Sequence, residues 1–549
     1  MRHNGASVLS PEAKELPAAP DPHARDYPDH LDAGLLKIAG VCVLAAVMAI
    51  LDTTVVSVAQ RTFITQFQTT QAVVAWTMTG YTLALATVIP LTGWAADRFG
   101  TKRLFMGSVL FFTLGSLLCA MAPNITLLVA FRVIQGLGGG MLMPLTFTIL
   151  TREAGPQRLG RLMAVLGIPM LLGPICGPIL GGWLIDSFRW QWIFLINLPI
   201  GVLALVLAAV VFAKDEAHPS ETFDFLDMLL LSPGLAMFLY GVSSIPARGT
   251  AIDPHVYLPA SVGLVLIIAF VVHALLGAGH PLIDLRLFKN RNLTLANSTM
   301  FLFAIAFFGA GLLFPSYFQQ LLGQTPLQSG LHLVPQGLGA MFTMPIGGRI
   351  MDKRGPGYVV LVGISLIAAG MATFAYGVHE HCAYTPVLLI GLAVMGMGMG
   401  CTMMPVSGSA VQSLAPHQVA RASTLINVNQ QVAGSIGTAL MSVILTSQFN
   451  HSQYVLAATK LAVIREEAAN RGTPADPTEL PAQALVPDFT QHVTNDLSNA
   501  YTVVFAVAVC FVIATLIPAA FLPKKPAAAS PGLATPAGGE RATPAVVHQ

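Results

Sequence analysis

The chain has 549 residues; 54% are hydrophobic, 10% are charged, and the net charge is +2. A mean hydropathy of +0.69 excludes a string of ordinary soluble domains, and the near-neutral charge gives no basic excess with which to hold nucleic acid. No Gly-Lys pair occurs, which excludes a P-loop and with it an ATP drive.

Residues 1–34 are Pro-rich, charged and aperiodic, without the apolar core of a signal peptide, and read as a disordered tail. A bilayer core about 30 Å thick is crossed by roughly 20 apolar residues in a helix. Stretches of that kind run roughly over 35–59, 72–94, 104–121, 125–150, 162–185, 192–212, 228–245, 258–276, 294–314, 331–350, 358–376, 387–411, 422–445 and 500–522. The expected fold is therefore an all-α polytopic membrane protein with 14 spans. An even number places both termini on one side. The loops sharing that side carry Arg98, Lys102, Arg103, Arg152, Arg158, Arg161, Lys214, Arg286, Lys289, Arg291, Arg349, Lys353, Arg354 and Arg421, whereas the short opposite loops carry Arg61, Arg189 and Arg248. The excess of positive charge makes that side cytoplasmic. The long outer segment 446–499 is polar, and residues 523–549 read as a second disordered tail. The six cysteines, Cys42, Cys119, Cys176, Cys382, Cys401 and Cys510, follow no framework spacing and read as packing residues.

Two loops repeat. GWAADRFG after the second stretch and GRIMDKRG after the tenth share the form G-x-x-x-D-[RK]-x-G. TREAGPQRLGR after the fourth has a looser counterpart, LAPHQVAR, after the twelfth. An offset of eight spans implies a 6 + 2 + 6 plan: a bundle at 35–212, a linker with two extra helices at 213–293, and a second bundle at 294–522. Parallel helical halves are a transporter plan, with the binding site at their interface near the midplane. In the first repeat Gly93 and Gly100 permit close approach and a tight turn. Asp97 is an acceptor for an Arg or a helix N-terminus, and Arg98, Lys102 and Arg103 hold the loop on its side. Asp352 and Lys353 take these places in the second. An acid pinned between two halves acts as a conformational latch, made in one state and broken in the other.

Ionisable side chains inside a span are costly and mark function by default. Asp52 in the first span and Arg132 in the fourth sit well inside, each roughly 10 Å below the outer end of its helix at 1.5 Å per residue. At equal depth they can meet, as a static ion pair or as a proton site whose affinity follows their separation. The fifth span carries Gly173, Gly177 and Gly181 in a four-residue repeat, with Gly182, Pro174 and Pro178; small residues allow tight packing and prolines bend the helix. In the thirteenth, Asn427, Gln430 and Gln431 either glue helices together or, with Gln135, line a substrate cavity. The methionines of the twelfth, Met395, Met397, Met399, Met403 and Met404, read as core. HEHC at 379–382 is compact and falls in a short outer loop; no metal and no cofactor are expected.

These strings carry a resemblance. GWAADRFGTKR, LDTTVVSVA (51–59), RVIQGLGGG (132–140), GPICGPILGG (173–182), WIFLINLPIG (192–201) and HPLIDLRLFKNRN (280–292) occur in the order found in the major facilitator superfamily, and the chain resembles its fourteen-helix drug:proton antiporter branch, the EmrB-type multidrug exporters. The resemblance implies a proton-coupled antiporter of the plasma (inner) membrane that exports small apolar or amphipathic compounds by alternating access. It also implies proton coupling for Asp52 and Arg132 and an antiporter motif at 173–182, a bendable seal between the halves. Expected partners are the substrate, protons and the bilayer, with a periplasmic adaptor where the cell has two membranes. Two departures stand out: Gln430 replaces an Arg of many relatives, and no acid lies deep in the last six spans. A symporter on the same fold, or a membrane enzyme or scaffold, is the alternative. The glycine-proline pattern of the fifth span argues against the first, and the lack of a His, Cys or acid cluster at one face argues against the second.

Overall fold

A computed structural model describes residues 32–69, 71–154, 158–214, 224–248, 252–276, 282–412, 414, 418–471 and 481–524. The tails expected at 1–34 and 523–549 fall almost wholly outside these. Helices occupy every predicted stretch: α1 (Ala33–Val58), α2 (Val73–Phe99), α3 (Thr101–Ala120), α4 (Ile125–Ala154), α5 (Leu159–Ser187), α6 (Trp192–Val211), α7 (Phe225–Arg248), α8 (Pro254–Leu276), α9 (Arg291–Gln320), α10 (Val334–Arg354), α11 (Pro356–His379), α12 (Tyr384–Gln412), α13 (Val419–His451) and α14 (Phe489–Ala520). Among the described residues, twelve helices are long and apolar enough to cross a membrane. The other two of this set, α5 and α10, run for 29 and 21 residues.

The pairing of helices explains why the loop motif occurs twice. In the first half α1 packs on α5 and α6, α4 on α2 and α3, and α3 on α6; in the second, α9 packs on α13 and α14, α12 on α10 and α11, and α11 on α14. Each pair recurs with both members eight helices later. The halves meet along α5 with α10 and α2 with α13, a reciprocal arrangement of the same two positions. The extra pair breaks this symmetry: α7 and α8 pack chiefly on each other, and α7 also lies against α2 and α13, beside one seam between the halves. Trp76 of α2 stacks on Tyr240 of α7 there.

Gly100 and Gly355 close the two repeated turns with φ of 90° and 84°, a backbone region that L side chains avoid. Lys102 starts α3 with its ammonium 2.7 Å from the carbonyl oxygens of Ala209 and Phe212. It thereby satisfies the exposed C-terminus of α6 and complements its dipole. At the opposite end, part of 446–499 folds as a helix, Gln453–Arg471, against the start of α14. Ser452 donates to Asp496 at 2.6 Å and Tyr454 stacks on His492.

Candidate functional site: a caged acid and two latches

Five helices of the first half converge on Asp52. Asn124 caps α4 by accepting from the Leu127 N–H, and Arg132 follows two turns later. Thr77 of α2, Ser116 of α3 and Asn197 of α6 each sit within about two turns of the helix end on the same side. The relative exposures of Asp52, Arg132, Gln135, Ser116 and Asn197 are 1%, 0%, 0%, 0% and 1%.

Both carboxylate oxygens are engaged. Arg132 Nη1 donates to Asp52 Oδ2 at 2.6 Å, while Gln135 Nε2 and Asn197 Nδ2 donate to Oδ1 at 2.8 and 3.0 Å. Arg132 is held without the acid as well: Nε donates to the Thr77 carbonyl at 3.1 Å, Nη1 reaches Gln135 Oε1 at 2.6 Å, and the guanidinium lies 4.1 Å above the Tyr81 ring. Ser116 Oγ accepts from Gln135 Nε2 at 2.6 Å and Asn197 Nδ2 at 3.2 Å. A buried charge pair needs partners for its remaining donors and acceptors; amides and a cation–π contact supply most of them here, and of the Arg132 guanidinium nitrogens Nη2 alone has no hydrogen-bond partner among the described residues.

Gln135, read from the sequence as a cavity residue, belongs to this cage instead. It follows Arg132 by three positions, so both side chains leave the same face of α4. Ser116 and Asn197 escaped sequence reading because lone Ser and Asn residues in apolar helices carry no periodic signal; Asn197 stands inside the WIFLINLPIG string without being singled out.

The residues flanking Asp52 seat on α5. A Cβ at Gly173 would strike Ile50, one at Gly177 would strike Thr54, and one at Gly181 would meet Val55. The glycine stripe therefore faces α1 of its own half, whereas Gly167, earlier on the same helix, meets Met344 of α10 and Met404 of α12 in the other half. Helix α5 packs on α10 of the other half, while the stripe is turned toward α1, where only glycine allows so close an approach. Gly182 has open space beside it.

At the basic end both repeated acids reach across the seam. Asp352 accepts from Arg161 Nε at 3.0 Å, and the backbone N–H of Arg161 lies 3.4 Å away at the start of α5. Asp97 pairs with Arg152 of its own half at 3.1 Å and with Arg421 of α13 at 3.9 Å. A Cβ at Gly93 would come within 3.3 Å of the Arg421 backbone, which fixes glycine where α2 and α13 meet. Arg98 is half-buried on the Asp97 turn; Arg103 and Lys353 point outward.

In the second half Asn427 turns its amide back to the Ser423 carbonyl, and Asn429 donates to the Asn297 carbonyl of α9 at 3.0 Å. Gln430 and Gln431 are half-buried. Met395, Met399, Met403 and Met404 are buried. A second enclosed acid, Asp227 at the start of α7, contacts His273 Nδ1 of α8 at 2.9 Å and accepts the Leu282 N–H at 2.9 Å. With Asp224 these form the one cluster of potential metal-binding side chains among the described residues. Both Asp227 oxygens are already engaged, so the cluster reads as a tie joining the extra pair to the approach to α9.

A family profile described as the Major Facilitator Superfamily matches residues 42–438. A Mycobacterium tuberculosis protein named multidrug resistance protein B homolog is 65% identical over 503 residues, covering 92% of this chain and 93% of the relative. The Escherichia coli multidrug export protein EmrB is 31% identical over 429 residues, covering 75% of this chain and 80% of its own length. Among solved structures, the human organic anion transporter MFSD10 aligns with a TM-score of 0.56 at 16% identity, covering 87% of this chain and 99% of that one. A proton:xylose symporter, XylE, aligns with a TM-score of 0.55 at 14% identity, covering 90% and 97%. At these identities the structural matches speak to fold alone.

Proposed function

The chain belongs to the Major Facilitator Superfamily, and from that premise we propose that it is a proton-coupled antiporter of the plasma membrane that exports small apolar or amphipathic compounds. The names of its relatives, a multidrug resistance protein homolog and a multidrug export protein, support multidrug efflux. The superfamily's members are transporters, and we assign no enzymatic step. All fourteen helices are taken as spans, with both termini and the basic loops cytoplasmic. A periplasmic adaptor is expected only where the cell has two membranes.

One observation carries the mechanism: the first half buries a single carboxylate against a single guanidinium, 2.6 Å apart and out of reach of water. Ionised Asp52 clamps α1 to α4 and α6. Protonation removes the charge on Asp52 and with it most of that clamp, while Arg132 keeps the Thr77 carbonyl, Gln135 and the Tyr81 ring. The freed element is therefore α1. It lies along the glycine stripe of α5, and α5 meets α10 of the other half, so a shift of α1 bears on the seam. We read the Asp352–Arg161 and Asp97–Arg421 contacts as latches that hold the cytoplasmic side closed when made. Alternating access requires those contacts to break as the halves rock.

The test is ethidium efflux from energised vesicles, with and without a proton uncoupler. Wild type should deplete ethidium and lose this with the uncoupler; Asp52→Asn should lose the uncoupler-sensitive component of the rate, as expected where an intramembrane acid carries the coupling proton. Normal pumping by a well-folded Asp52→Asn protein would reject the coupling role, and energised accumulation of the compound would favour symport.

A further inference from the structure

The amides around Asp52 differ in what fixes their orientation. Gln135 presents its nitrogen to Asp52 while its oxygen accepts from Arg132 Nη1 at 2.6 Å, with Cys119 Sγ at 3.6 Å. That oxygen is held by a permanent cation, so Gln135 is locked as a donor toward the acid. Asn197 is held differently. Its nitrogen donates to Asp52 Oδ1 at 3.0 Å and to Ser116 Oγ at 3.2 Å, and both partners can reverse their hydrogen-bonding sense. A carboxylate only accepts, whereas a carboxylic acid also donates; a serine hydroxyl does both. Half a turn about the last side-chain torsion of asparagine exchanges its NH2 and C=O with almost no change of shape.

We propose that Asn197 is a swivelling positioning residue that follows the proton on Asp52. With the acid ionised, Asn197 donates to it. When a proton binds Asp52 Oδ1, the amide turns so that its carbonyl accepts the new O–H, and Ser116 turns from acceptor to donor toward Asn197 while still accepting from Gln135. One proton is gained, no electrons move, and only hydrogen bonds exchange. The driving reason is burial: Asp52, Asn197 and Ser116 have relative exposures of 1%, 1% and 0%, and a buried O–H facing a fixed N–H would be costly. A swivelling amide satisfies both states, so that proton affinity is left to the separation of Asp52 and Arg132. The other groups facing the acid are Arg132 on α4, Tyr81 on α2 and Cys119 on α3. Asn197 is the only polar group that α6 brings to it, and the stretch of α5 beside it brings glycines and the exposed Cys176.

The inference rests on Asp52 being the proton site, and one experiment separates the two claims. Infrared difference spectra between high and low pH are recorded on the full-length transporter in proteoliposomes, with and without isotope-labelled asparagine. Wild type should show a carboxylic-acid band rising together with a shifted asparagine side-chain amide band. Asn197→Leu should keep the acid band, lose the amide shift and slow proton-driven ethidium efflux about tenfold, as for loss of one buried hydrogen-bonding partner. Ser116→Ala, a small change in a helix, should keep the fold, shrink the amide shift and slow efflux about threefold. An acid band without any asparagine response in wild type, or an amide shift that survives Asn197→Leu, overturns the swivel. An acid band that persists in Asp52→Asn overturns the proton-site reading instead.

Discussion

The two halves repeat one set of helix pairings, yet they are filled with different chemistry. Among the described residues, the charged residues buried as a whole are Asp52, Arg132, Arg158 and Asp227, all before the second half begins, although the Asp352 side chain is itself only 7% exposed. The first half places a carboxylate in a cage of donors; in the second, neutral amides are spent on uncharged acceptors, Asn429 on the Asn297 backbone carbonyl and Gln336 on the Met399 sulfur. The acids of the two repeated loops differ too. Asp352 spends its carboxylate across the seam, whereas Asp97 divides its own between a partner in its half and a more distant one beyond it. In the proposed mechanism, a duplicated scaffold supplies the rocking motion and a single unduplicated ion pair is its trigger.

The largest effects should come from splitting the ion pair. Arg132→Leu leaves Asp52 buried and unpaired and should cost about 3–5 kcal/mol, read as a fall in the thermal unfolding midpoint in detergent. The double change Asp52→Asn with Arg132→Gln should recover much of that stability and none of the coupling. Asn429→Leu, in the neutral half, should change stability by about 1 kcal/mol. If it equals Arg132→Leu, the contrast between the halves is wrong.

Next come the glycine seams. Gly177→Val drives a branched side chain into Thr54 and α1 and should destabilise by about 1–3 kcal/mol or more, with efflux lost in proportion. Gly434→Ala, whose new Cβ would meet the movable Phe308 ring at 3.1 Å, should cost roughly 1 kcal/mol or less. Equal damage at both would remove the special status of the α1–α5 seam.

The latches rank lower because they are partly solvated. Asp352→Asn should shift the population of cytoplasm-closed molecules several-fold, equivalent to about 1 kcal/mol for a pair of this exposure. Asp97→Asn, which keeps Gly93 and the turn, should shift it less. Distances between spin labels on α5 and α10 would measure both. Smallest of all, Gln430→Leu should change the rate for individual compounds by no more than about threefold, the scale of one hydrogen bond at a half-buried position, and should leave proton dependence intact.

Much of this was legible in the chain itself. Every predicted stretch is helical, since a long apolar run can satisfy its backbone only by coiling on itself. Asp52 and Arg132 were found by their cost: a charge in such a run stands out in any reading. Gln135 was seen but misplaced, because spacing shows that two residues share a helix face and does not show what the face meets. The direction of the glycine stripe was hidden for the same reason. Asn197 and Ser116 were invisible as a pair, being uncharged, isolated and 81 positions apart.

Composition and periodicity alone determined the class of molecule, the helices, the duplicated loops and the two charged residues buried within spans, because hydropathy and charge act locally and leave their mark on short stretches. Only the tertiary structure decided which oxygen each amide holds, which half the stripe faces, and that Asp352 rather than Asp97 makes the tighter bridge. Those facts depend on how helices from distant parts of the chain rotate against one another, and a hydrogen bond's direction and length exist only once that rotation is set.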